Sequence, residues 1–160
     1  MGSKKVFCAL KFATILMGIN LAVTSSAKAD DLSTERALAV QILLKAASNA
    51  GSVALQNKFL QMSQILQSAP LNVPPDGSDF QNCDAGKLAY TAPTISNGIY
   101  ICNLLQSQGS LYIAQVLIHE SAHLAGYPNE CDATTIEMAA MNASGVGLVM
   151  RNAYMDGCGL

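Results

Sequence analysis

The chain has 160 residues, of which 51% are hydrophobic and 12% are charged, and its formal net charge is −2. This length is enough for one domain with one hydrophobic core. The weakly acidic balance argues against nucleic acid and against anionic membrane surfaces as partners, because both attract proteins with an excess of Lys and Arg.

Residues 1–29 have the pattern of an export signal. A lysine-rich start precedes an apolar stretch over 12–23, which is too short to span a membrane comfortably. The segment ends in Ala-Lys-Ala, which fits the small-x-small rule of signal cleavage, so we predict cleavage after Ala29. Four of the nine Lys and Arg lie in this segment, whereas all eleven Asp and Glu follow it. The processed chain, 30–160, would carry a net charge of about −6 and be a single secreted or periplasmic domain without stable membrane association.

Four cysteines follow the signal, namely Cys83, Cys102, Cys131 and Cys158. An even number of cysteines in an oxidising compartment predicts two disulfides, and the count alone allows three pairings. A zinc site made of these cysteines is the alternative. No two of them have the CxxC spacing that is typical of such sites, so we favour disulfides.

The processed chain should begin with a helical hairpin over 34–68. A first helix, capped by Ser33 or Thr34, is expected to end before Gly51, and a second is expected to end before Pro70. Both have apolar residues at helical spacing. These apolar faces are expected to pack in the core.

The next stretch, 71–86, is rich in Pro, Asp, Asn and Gly and predicts a loop. Short strands are predicted at 88–91 and 99–102, where apolar and aromatic residues flank a turn. Together they would form a small sheet. The second strand directly precedes the next helix, and we expect it to pair with an extended peptide.

That helix should run over 111–125, a stretch without Gly or Pro, with Ser110 as its N-cap and Gly126 at its end. It contains the only two histidines of the chain, His119 and His123. Residues four apart lie on one face of a helix, so both imidazoles can bind one metal ion. Zinc accepts neutral imidazole and leaves a position for water when the protein supplies three ligands.

Glu120 lies between the two histidines in this HExxH pattern and can take a proton from the water. The alternative is an amphipathic core helix that carries two histidines by chance. An unpaired carboxylate in the apolar run around Glu120 would then be costly, which argues against that alternative. We therefore predict metal-assisted hydrolysis, with Glu120 as the catalytic general base.

A third zinc ligand should follow, and the downstream candidates are Glu130, Asp132 and Glu137. Glu130 opens Glu-Cys-Asp-Ala, which resembles the Glu-x-x-Ala of zinc proteases that use a glutamate ligand. Asp132 follows a turn that contains glycine. Either residue could instead be a cap or a first-turn acid of a helix predicted over 133–142.

The segment 83–158 resembles the deuterolysin-type (aspzincin) zinc metallo-endopeptidases, near the branch of the peptidyl-lysine metallo-endopeptidases. The matching features, in chain order, are Cys83, Ala89-Tyr90-Thr91, Ile99-Tyr100-Ile101-Cys102, Leu117-Ile118-His119-Glu120-Ser121-Ala122-His123, Asp132 and Asn152-Ala153.

The resemblance implies an α+β fold, a small zincin-like metallopeptidase domain that is mostly helical with a short sheet beside the HExxH helix. It implies one Zn²⁺ ion held by His119, His123 and Asp132, with Glu120 as general base, in a catalytic part over 83–160. It also implies that Cys83 pairs with Cys102, which leaves Cys131 to pair with Cys158.

Two positions depart from the family pattern. At the position of Thr135 the family has a tyrosine that is thought to stabilise the transition state. At the position of Tyr154 the family has an acidic residue that selects lysine substrates. We therefore expect a zinc metallopeptidase that cleaves protein or peptide substrates without strict lysine specificity. One alternative is an amidase or endopeptidase of peptidoglycan crosslinks. The other, favoured by Thr135, is a zincin-like binding protein that keeps zinc without turnover.

Overall fold

The computed structural model describes residues 32–74, 78–83, 86–92, 97–149 and 154–160, with only the backbone of Tyr154. The predicted export signal with its cleavage site, Asn152-Ala153 and the side chain of Tyr154 lie outside the described part of the chain.

The described residues form a mixed α+β structure that is mostly helical, as predicted. The helices are α1 (Ser33–Ser48), α2 (Val53–Ser68), α3 (Asn103–Gln106), α4 (Ser110–Leu124), α5 (Glu130–Ser144) and α6 (Tyr154–Cys158). The strands are β1 (Leu71–Asn72), β2 (Ala89–Thr91) and β3 (Ile99–Ile101).

Helices α1 and α2 pack against each other as the predicted hairpin. The predicted cap of α1 was wrong, because Leu32 occupies the N-cap position and no side chain caps the helix there. At the start of α2 the hydroxyl of Ser52 accepts the backbone N–H of Leu55 at 3.2 Å. Such a bond satisfies one of the N–H groups that a helix N-terminus leaves unpaired.

Helix α4 lies at the centre of the fold, in contact with α1, α2, α5 and the sheet. It can occupy this position because it is apolar on most sides, unlike a surface helix with a single apolar stripe. Its fully buried apolar residues are Ala114, Leu117, Ile118 and Ala122. The HExxH pattern is therefore held by packing on several sides.

The sheet has the order β1-β3-β2, with β1 parallel and β2 antiparallel to β3. The central strand is thus β3, whose two edges are both occupied. Our expectation that this strand pairs with an extended peptide was wrong, because β1 and β2 already pair with both of its edges. Strand β1 lies in the stretch 71–86, which we predicted as a loop.

Both predicted disulfides are confirmed. Cys83 is bonded to Cys102 at the end of β3, and Cys131 in the first turn of α5 is bonded to Cys158 in α6. Two disulfides fit an oxidising compartment. Within the described residues, no helix combines the length and the apolar character that a membrane span requires.

Candidate metal centre

The two histidines lie one turn apart on α4, with their ring centroids separated by 4.9 Å. After α4 the chain reverses at Gly126, where φ is +99°, a conformation that favours glycine. Asn129 then caps α5, since its side-chain oxygen accepts the backbone N–H of Asp132 at 2.8 Å. This reversal places the first residue of α5, Glu130, beside the histidines.

One carboxylate oxygen of Glu130 faces both rings. Its Oε2 lies 3.0 Å from Nε2 of His119 and 3.4 Å from Nε2 of His123. Ligand atoms that surround a tetrahedral zinc ion at its usual bond lengths lie about 3.3 Å apart. The three side chains offer ligand atoms within 4.8 Å of one another, and both the donor types and the spacing fit a zinc ion.

The other ring nitrogens are held by hydrogen bonds. Nδ1 of His123 donates to the carbonyl oxygen of Tyr127 at 2.7 Å, and Nδ1 of His119 donates to Oε2 of Glu137 at 2.9 Å. In a neutral imidazole a proton on Nδ1 leaves the lone pair on Nε2, which is the form that binds metal. The ring of Tyr127 lies 4.6 Å from the ammonium group of Lys58 on α2, a cation–π contact between α2 and the turn after α4.

The group carries an excess of negative charge. Burial lowers the pKa of His119, but the hydrogen bonds to Glu130 and Glu137 outweigh burial, and the pKa is raised to about 10. The same contact with His119 lowers the pKa of Glu130. A positive charge on the His119 ring is thus stabilised by these two carboxylates.

Glu120, the predicted general base, is buried and accepts no hydrogen bond from the residues that the structure describes. Burial raises its pKa to about 7, although the charges of His119 and Lys87 act in the opposite direction. A carboxylate with a pKa near neutrality is suited to take up and release a proton.

Asp132, the ligand that the resemblance implied, lies outside the group formed by His119, His123 and Glu130, whose possible ligand atoms are within 4.8 Å of one another. Asp132 is exposed and accepts a hydrogen bond from the amide of Asn129. The physical reason is that α5 begins at residue 130, three residues earlier than predicted. Residues two apart in a helix point in nearly opposite directions, and here Glu130 faces the histidines.

Two further predicted residues can be located. Thr135 is exposed, and its hydroxyl donates to the backbone oxygen of Cys131 within α5 at 2.7 Å. Glu137 contacts the side of the His119 ring that faces away from Glu130. Gln115, which no sequence motif singled out, lies four residues before His119 on the same helix face and donates to Glu137.

Comparison of the chain with protein-family models, with curated proteins and with solved structures finds no match. The resemblance to the deuterolysin-type peptidases stays a prediction that rests on short motifs. The chemistry and geometry of the residues themselves are therefore the main guide to function.

The disulfide between Cys131 and Cys158 should matter for metal binding as well as for stability. Cys131 directly follows Glu130, and the bond ties this first turn of α5 to α6. We expect the double replacement of Cys131 and Cys158 by Ser to lower the melting temperature, because the entropy model assigns roughly 3 kcal/mol to a loop of this size. We also expect weaker zinc binding, measured by competition with a chelator.

The matched control removes the other disulfide. Replacing Cys83 and Cys102 by Ser opens a loop of 19 residues instead of 27, so the expected loss of stability is similar. Neither residue adjoins the histidines or Glu130 in the sequence, and zinc affinity should stay near that of the wild type. Native zinc affinity in the variant that lacks Cys131 would show that its bond stabilises only the fold.

Proposed function

We propose that the chain is an exported zinc metallopeptidase of the HExxH type that hydrolyses peptide bonds in protein or peptide substrates. The observation that carries the proposal is the convergence of two Nε2 atoms, from His119 and His123, on one oxygen of Glu130 at the spacing of zinc ligands. The motif similarity to zincin-like peptidases supports it. Export is supported by the two disulfides.

Three protein ligands leave one tetrahedral position open. When bound there, a zinc ion supplies Lewis acidity towards the scissile carbonyl and lowers the pKa of water. Glu120 follows His119 directly, and its carboxylate would accept the proton of the attacking water as the new C–O bond forms. It would return that proton to the leaving amine as the C–N bond breaks.

A digest of casein tests the proposal. The chain from Asp30, loaded with zinc, should cleave casein, lose this activity with a chelator and regain it when zinc is added. The cleavage sites, read by mass spectrometry, should not be confined to lysine. A parallel digest of muropeptides tests the peptidoglycan alternative, for which crosslink cleavage without casein cleavage would be the supporting outcome.

One observation favours a second candidate, a zinc-binding protein without turnover. The hydroxyl of Thr135, which stands at the position of the family tyrosine, donates to the backbone oxygen of Cys131 within its own helix. Tight zinc binding with no cleavage of casein or muropeptides would support this candidate and would overturn the proposal of a hydrolase.

A further inference from the structure

A chain of three hydrogen bonds runs from His119 to the segment that follows α5. Oε2 of Glu137 lies 2.9 Å from Nδ1 of His119, and its Oε1 lies 2.6 Å from Nε2 of Gln115. Oε1 of Gln115 accepts the backbone N–H of Val149 at 2.9 Å. Glu137 and Gln115 are both buried, with 1% and 2% of their surfaces exposed.

The direction of every bond in this chain is fixed. The backbone N–H of Val149 can only donate, so the atom of Gln115 that faces it must be the amide oxygen. The amide nitrogen of Gln115 therefore points at Glu137 as a donor. The carboxylate of Glu137 then accepts at both oxygens, which requires a proton of the His119 ring on Nδ1. In the neutral ring, the form that binds metal, Nε2 then carries the lone pair on the side of Glu130.

The spacing along α5 explains how one helix holds both sides of this ring. Glu130 and Glu137 are seven residues apart, which is close to two full turns, so they share a helix face. Glu130 lies 3.0 Å from Nε2 and Glu137 lies 2.9 Å from Nδ1 of the same imidazole. Glu137 is thus placed behind the ring and not on the side where a metal ion would bind.

We propose that Glu137 is a positioning residue, supported by Gln115 and the backbone of Val149, that fixes His119 in the tautomer and orientation needed to bind zinc. This inference rests on the zinc site of the proposed function. It assigns to the buried carboxylate a role different from that of the ligand Glu130 and of the base Glu120, and it couples the segment after α5 to the metal site.

Glu137→Gln is the sharpest test, because it keeps size and shape while replacing one acceptor oxygen by an NH₂ group. His119 and Gln115 both donate a hydrogen bond to Glu137. In the variant, the new NH₂ group would therefore face one of these two donors in place of an acceptor oxygen. We expect zinc affinity to fall by about 10- to 100-fold, the usual effect of removing such a partner. The absorption bands of the cobalt-substituted protein should shift, since they report on ligand orientation.

Ile136→Val is the matched control on the same helix, because Ile136 is buried in the core and makes no polar contact with the site. It should leave zinc affinity and the cobalt spectrum unchanged. If Glu137→Gln does not fold, nitrogen-15 NMR of the imidazoles in the zinc-loaded wild type shows which ring nitrogen of His119 carries the proton. A protected Nδ1–H signal for His119 is expected, and binding of zinc through Nδ1 would overturn the inference.

The outcomes separate this inference from the proposed function. A wild-type chain that binds no zinc contradicts the metal site itself. A wild-type chain that binds zinc tightly, together with a Glu137→Gln variant of equal affinity and identical cobalt spectrum, contradicts only the role of Glu137.

Discussion

Replacing Glu130 by Ala should weaken zinc binding by more than about 100-fold, which exceeds the usual effect of removing a residue that only supports a ligand. The reason is geometric, because Oε2 of Glu130 lies within 3.4 Å of both Nε2 atoms and no other described carboxylate completes that group. Zinc affinity, measured by chelator competition at fixed pH, checks this expectation.

Asp132→Ala is the matched control, since Asp132 lies two residues away on the same helix and was the ligand that the family resemblance implied. Its carboxylate is exposed and bonds to Asn129. We expect zinc affinity near that of the wild type. Loss of zinc in Asp132→Ala, with zinc retained in Glu130→Ala, would show that the aspartate is the ligand.

Glu120→Gln should have the largest effect on turnover. A neutral amide cannot accept the proton of the attacking water, and the loss of a general base typically lowers rates by about 10²- to 10⁴-fold. The amide has nearly the same size as the buried carboxylate, so the fold and the zinc content should be retained. The rate of casein cleavage and the zinc content of the same sample are the two measurements.

Ser121→Ala is the control for this variant, because Ser121 occupies a variable position of the HExxH pattern. Its hydroxyl donates to the backbone oxygen of Ile118 within α4 at 2.7 Å and contacts none of the proposed ligands. Casein cleavage should persist in this variant. Unchanged cleavage in Glu120→Gln would remove Glu120 from the mechanism.

The elements that the sequence predicted well are those with a strong local signal. Helix α4 could be predicted because it is rich in apolar residues, has no internal Gly or Pro, and is followed two residues after its end by Gly126; its N-cap is Gly109 and not the predicted Ser110. The His119 and His123 pair follows from helical geometry alone. The disulfide pairing could not be deduced from the cysteine count, and the family resemblance was needed to choose among the three possibilities.

The elements that the sequence did not predict depend on contacts distant in sequence or on one helix boundary. Strand β1 has only two residues, too few for any periodic pattern, yet its pairing decides which strand is central. Which of Glu130 and Asp132 faces the histidines depends on where α5 begins, and such boundaries are the hardest part of a helix to predict from sequence. Glu137 could contact either a metal ion or the histidine that binds it. The packing of α5 against α4 decides between the two, and the spacing of residues in the sequence does not specify that packing.

The zinc content of the chain from Asp30 tests the central claim most directly. After removal of metal, incubation with zinc and removal of unbound metal, elemental analysis should find one zinc ion per wild-type chain. His123→Ala removes one imidazole of the group and should leave almost no bound zinc. A wild-type chain without zinc, or a His123→Ala chain with full zinc content, would contradict the account.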